Sequence, residues 1–230
     1  MREVDRLMIE EYRIGLIQMM ENAGRNLAWL SRSLFLVGNL RGKRVLVLAG
    51  SGGNGGGGLV AARWLHNWGV NVEVFLTRPI ELMKPVPVNQ LKTLDQMGLI
   101  INHFNKRKSL SGCDLILDAI IGYSINDAPR GNAADLIRKA NVKALERIPI
   151  LSLDIPSGLN PTTGHVYTPC INASATMTLA LPKVGLMMGH VKSQVGSLYL
   201  ADIGVPPQLY KPLGLEVNNL FCVQDIIQIY

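Results

Sequence analysis

No stretch of the 230 residues approaches eighteen consecutive apolar positions, which excludes a helical membrane span on sequence grounds. The opening MREVDRLMIEEYRIG mixes charges of both signs and lacks the apolar block of a signal peptide. Cysteine is scarce: Cys113, Cys170 and Cys222 are odd in number, widely spaced and without a CxxC pair. That excludes a disulfide framework or a zinc ribbon and predicts reduced thiols in a cytoplasmic protein. Aromatic residues make up only 6%, too few to favour a base-stacking platform. The 23 Lys and Arg are scattered, and the single run, KRK at 106–108, reads as a solvated loop rather than a nucleic-acid patch. His66, His103, His165 and His190 show no metal-ligand spacing. What remains open to a chain of formal charge +6 is an anionic small molecule.

The apolar share, 48%, is enough for one full core, and strand-like and helical segments alternate along the chain. Residues 3–36 carry Val4, Leu7, Met8, Tyr12, Leu16, Met19, Met20 and Ala23 at helical spacing and read as one or two amphipathic helices. Gly15, Gly24 and Gly38 mark breaks or ends. Short apolar, β-branched runs predict strands at 44–50, 71–76, 99–104, 114–122, 149–158, 175–181 and 196–204. Helices are predicted after the glycine-rich stretch 50–58, over Val88–Met97, and over 132–146. The expected fold is α/β, with a mostly parallel central sheet and helices on both faces. The expected organisation is a single domain over 1–230: helices at 3–36, a core over 43–205 and an extension at 206–230.

In open parallel sheets ligands bind at the carboxyl ends of strands. Three strand ends stand out: the first runs into GSGGNGGGG (50–58), another into Asp118, and a third into DIPSG (154–158). Gly50, Gly52 and Gly55 satisfy GxGxxG, with Glu73 placed as a ribose-binding acid near the end of the next strand. On that pattern alone a hydride-transferring dehydrogenase remains open, whereas a Walker loop does not, because no Lys-Ser or Lys-Thr follows.

Longer motifs are more discriminating. VLVLAGSGGNGGGGLVAARWL, MMENAG (19–24), DAIIGYSINDAPRG (118–131), LDIPSGLNPTTG (153–164) and LALPKVGL (179–186) occur in order over residues 5–205. Together they resemble the signature of the YjeF N-terminal domain family, the NAD(P)H-hydrate epimerases. The resemblance implies a three-layer Rossmann-like sandwich, commonly a homodimer. It also implies interconversion of the R and S epimers of hydrated NADH and NADPH, with a separate NAD(P)H-hydrate dehydratase as pathway partner. Carried over by position, it implies potassium (K+) ligands at Asn54, Asp118 and Ser157. It places substrate contacts at Gly53, Asn54, Gly55, Gly56 and Gly57, at Gly122, Tyr123, Ser124, Ile125, Asn126, Asp127 and Ala128, and at Asp154. Asp154 is expected as the acid/base group at C6 of the ring, with Lys183 the second candidate.

The chain departs from that pattern at two places. Where the family runs Asn-Asn-Gly-Gly-Asp, this sequence has Gly53-Asn54-Gly55-Gly56-Gly57, and Gly-Thr-Gly becomes Gly122-Tyr123-Ser124. Loss of a carboxylate beside a helix N-terminus would leave the site more favourable to anions. An alternative therefore stands beside the epimerase: a family member that binds a nucleotide or acts as a scaffold without this chemistry.

Overall fold

RVLVLA, NVEVFL and LILDA are continuous apolar runs that bury both faces, and they form the centre of a parallel sheet. Strand β1 (Arg44–Ala49) lies between β2 (Asn71–Leu76) and β4 (Leu115–Ala119), parallel to both. With β3 (Ile100–His103), β5 (Ile150–Leu153), β6 (Ala175–Leu179), β7 (Ser197–Ala201) and β8 (Ile226–Gln228), the order is β3-β2-β1-β4-β5-β6-β7-β8. Every pair is parallel except β7–β8. The structure, a computed structural model, describes residues 2–103, 109–217 and 220–230; the basic run at 106–108 lies outside the described residues.

The sheet sorts its side chains by parity. Val45, Val47 and Ala49 of β1 face a core shared with α2 (Leu16–Leu34), α3 (Gly53–Asn67) and α4 (Pro85–Gln96), through Leu27, Leu59, Leu65, Leu91 and Leu94. Leu46 and Leu48 face the other way, against Leu136, Ile137 and Ala140 of α5 (Gly131–Leu145). Alternation along each strand thus gives the expected three-layer Rossmann-like sandwich.

The amino-terminal segment is two helices, α1 (Arg2–Glu10) and α2, the latter starting after Gly15. Gly24 is no break: it lies inside α2, where an added Cβ would stand 2.4 Å from Val60 Cβ of α3. Close helix packing, not chain termination, is what glycine serves there. The segment after residue 205 wraps back on the fold. A 3₁₀ segment, Pro207–Leu213, packs Leu209 and Tyr210 against Val4, Leu7 and Met8 of α1. Strand β8, absent from the sequence-based expectation, then pairs antiparallel with β7 and covers that edge.

Candidate functional site

The order of strands reverses between β1 and β4, so the segments leaving these strands diverge at the carboxyl rim. After β1 the chain turns through Gly50, Ser51 and Gly52 directly into α3. The glycine-rich stretch is therefore a turn of three residues followed by helix, not a nine-residue loop. Its glycines allow contacts that any side chain would block. A Cβ on Gly50 would fall 1.9 Å from the Ile120 carbonyl oxygen, and one on Gly55 1.9 Å from that of Gly50. Further along, Gly56 meets the Met20 sulfur, Gly57 meets Leu153 Cδ2 and Gly58 meets Ala119 Cβ. Glycine costs about 1 kcal/mol against alanine at an interior helix position. Here that cost is offset by bringing α3 down onto the strand ends.

MMENAG explains itself in the same seam. Met20 covers Gly56, Gly24 lies against Val60, and the Glu21 carboxylate accepts from Arg63 Nη2 at 2.5 and 2.6 Å and from Trp64 Nε1 at 2.9 Å. The first helical backbone bond of α3 runs from Gly56 N to Gly52 O. The amides of the residues before Gly56 are thus the orphan donors that every helix start presents.

Beside that helix start lies a buried oxygen cluster. Asp118, in β4, is fully buried and accepts from Ser152 Oγ (2.8 Å), Ser157 N (2.8 Å), Ser157 Oγ (2.5 Å) and Ile120 N (3.3 Å). Burial pushes its carboxyl above the ordinary range, and the hydrogen bonds from Ser157, Ser152 and Ile120 oppose that rise only in part. Ser157 Oγ also accepts from Ile121 N at 2.9 Å, tying the exit of β4 to DIPSG. Asn54, in the first turn of α3, rests against Gly122, and its side-chain Nδ2 is buried without a partner. The two ends of an amide are told apart by their partners, so the reverse orientation places a carbonyl oxygen there. A buried carboxyl, a serine hydroxyl and an orphaned amide supply oxygen donors of the kind hard cations take. Among the described residues no group of three or more His, Cys, Asp or Glu is placed to hold a metal ion.

Asp154 follows β5 in the left-handed region, φ 67°, and its amide donates to Met177 O at 2.7 Å. A non-glycine residue held there is uncommon and costs backbone energy, and here it aims a carboxylate at the rim. Lys183 Nζ donates to Asp154 Oδ1 at 2.5 Å and to Leu179 O at 2.8 Å. With exposures of 4% and 7%, the pair is nearly dry. Lys183 is therefore the fixed counter-charge of Asp154.

The segment after β4 divides by burial. Ile125 is core, packed with Ile155 and Leu159, so it can offer a ligand only its backbone. Gly122, Tyr123 and Ala128 are half-buried, whereas Ser124, Asn126 and Asp127 are exposed. Asp127 is engaged by the Arg130 guanidinium and by the Ala128 amide. Tyr123 donates its hydroxyl to Asp5 of α1 at 2.6 Å. Burial and that bond raise its phenol pKa, and burial raises the Asp5 carboxyl.

Several positions differ from expectation. Glu73 is the third residue of β2, opposite Leu46 rather than at the strand's carboxyl end. Its carboxylate pairs with Arg44 Nη2 at 2.6 Å and accepts from Asn102 Nδ2 at 2.6 Å, so it is not placed as a ribose acid at the rim. Gly57 is in the second turn of α3, its missing side chain directed at Leu153 in the core and not at the helix N-terminus. The lack of a carboxylate at 57 therefore does not make the helix N-terminus more favourable to anions. The sequence alone does not point to Ser152, Leu153 or Asp5. The first two lie within a strand whose register sequence does not reveal, and the third contacts a residue 118 positions away.

The family described as YjeF-related protein N-terminus matches residues 16–185. An NAD(P)H-hydrate epimerase of Dehalogenimonas lykanthroporepellens is 44% identical over 94% of this chain and 84% of its own length. A bifunctional NAD(P)H-hydrate repair enzyme of Moorella thermoacetica is 38% identical over 91% of this chain, which spans 40% of that longer protein. The crystal structure of the yeast protein YNL200c superposes with a TM-score of 0.79 at 27% identity, covering 99% of this chain and 96% of the yeast chain.

Proposed function

This chain belongs to the YjeF-related protein N-terminus family, and from that membership we propose that it is an NAD(P)H-hydrate epimerase, interconverting the R and S forms of hydrated NADH and NADPH. The observation that carries the reading at the site is the dry Asp154–Lys183 pair at the carboxyl end of β5. In the hydrate, C6 bears a hydroxyl and is bonded to the ring nitrogen N1. Protonation of that hydroxyl lets the N1 lone pair expel it as water and leaves an iminium. Return of water to the opposite face and loss of one proton give the other epimer. One exchangeable proton held by the Asp154–Lys183 pair suffices: Asp154, taking it from Lys183, gives it to the leaving hydroxyl and retakes it from the incoming water. Lys183 also holds the Asp154 side chain in place.

The amides at the start of α3 receive the anionic, phosphate side of the nucleotide. The backbone and half-buried side chains of 122–128 cover the ring side. Asn54, Asp118 and Ser157 fit K+, which would neutralise the buried Asp118 and fix the first turn of α3 against the segment after β4. The protein works as a homodimer and passes the S form to a separate dehydratase. Bifunctional repair enzymes among the relatives support that succession.

The test starts from NADH hydrate enriched in one epimer. In potassium buffer the protein should bring the mixture to equilibrium well ahead of the spontaneous rate, followed by chromatography. No acceleration by folded protein overturns the proposal.

A further inference from the structure

Helix α1 is seated by one face: Val4, Leu7 and Met8 are buried against Met19, Leu209 and Tyr210. Most of its charge is turned to solvent, where Arg6 pairs with Glu3 and Glu10. Asp5 differs. It is half-buried, its carboxylate loses hydration, and its Oδ2 accepts from the hydroxyl of Tyr123. Tyr123 lies on the segment after β4, which is tied to the segment carrying Asp154: Ile121 N donates to Ser157 Oγ at 2.9 Å, and Ile125 packs with Ile155. Through Tyr123, Asp5 is thus joined to the stretch of rim that holds the Asp154–Lys183 pair. Withdrawing a carboxylate from water costs free energy, which the charge-assisted bond from the Tyr123 hydroxyl offsets, and that bond fixes the hydroxyl in place.

We propose that Asp5 is a positioning residue of the substrate site: by holding the Tyr123 hydroxyl it fixes the phenol ring as a wall of the pocket served by Asp154 and Lys183, making α1 part of that pocket. The ligand such a wall suits is a flat, partly unsaturated ring, which an aromatic face covers by stacking. The inference rests on the epimerase reading for the identity of that ring, but not for the existence of the wall.

The experiment compares Asp5→Ala, Asp5→Asn, Tyr123→Phe and the Asp5→Ala/Tyr123→Phe double variant in the full chain. It measures kcat and KM for hydrate epimerisation, and in parallel the Kd for NADH from its fluorescence. Asp5→Ala and Tyr123→Phe are each expected to raise KM and Kd about tenfold with kcat changed far less, as for lost binding common to ground and transition states. The double variant should be no worse than either single one, because both remove the same bond. Asp5→Asn, which keeps an acceptor for the phenol, should recover most of the loss. A purely structural role would lower Tm but leave KM and Kd unchanged at temperatures where the protein is folded. That result overturns the inference, as do additive losses in the double variant. If Asp5→Ala fails to fold, Tyr123→Phe decides alone, since it removes only the hydroxyl. A wild type that binds NADH without epimerising overturns the epimerase reading and leaves the Kd comparison to decide the wall. A wild type that does neither overturns both.

Discussion

Gly57 offers a quantitative test of how the rim is packed. A Cβ added there would lie 2.7 Å from Leu153 Cδ2, with Ala23 Cβ next at 4.0 Å. Ordinary carbon contacts fall at ~3.5–4.0 Å, so the deficit is about 1 Å. Leu153 is 1% exposed and belongs to the core beneath α3, so it has little room to retreat. Overpacking of this kind costs ~1–3 kcal/mol. Replacing a helical glycine by alanine returns about 1 kcal/mol. Gly57→Ala should therefore be destabilised by roughly 0–2 kcal/mol, the difference of those two effects. Gly57→Asp turns a carboxyl toward the apolar Leu153 and Ala23 and should cost at least ~2 kcal/mol more. Leu153→Val shortens the opposing side chain and alone should cost ~1 kcal/mol. If Leu153 fills the space left by Gly57, the two changes together cost less than their sum, by about 1 kcal/mol or more. Urea unfolding midpoints for the four corners of the cycle measure this directly. Gly57→Ala more stable than wild type by the full propensity gain, with no coupling to Leu153→Val, would refute the packing argument. The same geometry predicts that restoring the family's acid at 57 impairs activity, because moving Leu153 disturbs the adjacent Asp154.

Asp154→Asn keeps the shape of the side chain but removes the exchangeable proton, and should lower kcat by about 10²–10⁴ with a smaller change in KM; rates within threefold of wild type would exclude Asp154 as the acid/base group. Potassium at about a hundredfold excess over its Kd adds ~2.7 kcal/mol to a protein that binds it only when folded. Replacing choline by potassium should accordingly raise Tm by roughly 5–10 °C in the wild type and not in Asp118→Asn; equal shifts in both would remove Asp118 from the ligand set. Asp114, which accepts from Arg44 N and Lys43 Nζ, has its carboxyl held below the usual range by those bonds. Its contribution to stability is then full above the ordinary Asp value and is lost as pH falls through the lower folded value. The gap in urea midpoint between wild type and Asp114→Asn should narrow from about pH 6 to about pH 3; a gap that widens on acidification would contradict the assigned direction.

The parallel strands were legible because burial on both faces leaves unbroken apolar runs that need no partner to be recognised: NVEVFL was expected at 71–76 and is β2 with those limits. The same logic exposed Asp118 and Asp154, since a charge at the end of such a run falls on the rim where the chain leaves the sheet. What escaped depended on partners distant in sequence. Ile226–Gln228 is too short to announce itself and is a strand only because Leu200 and its neighbours pair with it. Residues 53–58, five of them glycine, carry the composition of a loop, yet they are helical. Intrinsic propensity lost there to a fit that sequence does not display: Met20, Leu153 and Ala119 occupy the places where side chains would have been. Counting along the chain puts Glu73 near a strand end, but register with β1 leaves it three residues short of it.

That fit also explains why the site is held so firmly by a segment with so little side chain. Helix α3 cannot slide along the sheet, because Gly50 and Gly55 cross backbone to backbone and Gly24 of α2 admits Val60 with no clearance. Glu21 fixes its rotation through Arg63 and Trp64. Asn54 and the orphan amides at its start are therefore placed relative to Asp118 and Ser157 by packing a turn away, rather than by bonds among themselves. Loosening the α2–α3 seam should therefore disturb the rim, even where no changed atom reaches it. The energetic weight of the site lies in the glycines, and its chemistry in the strand-end residues they leave exposed.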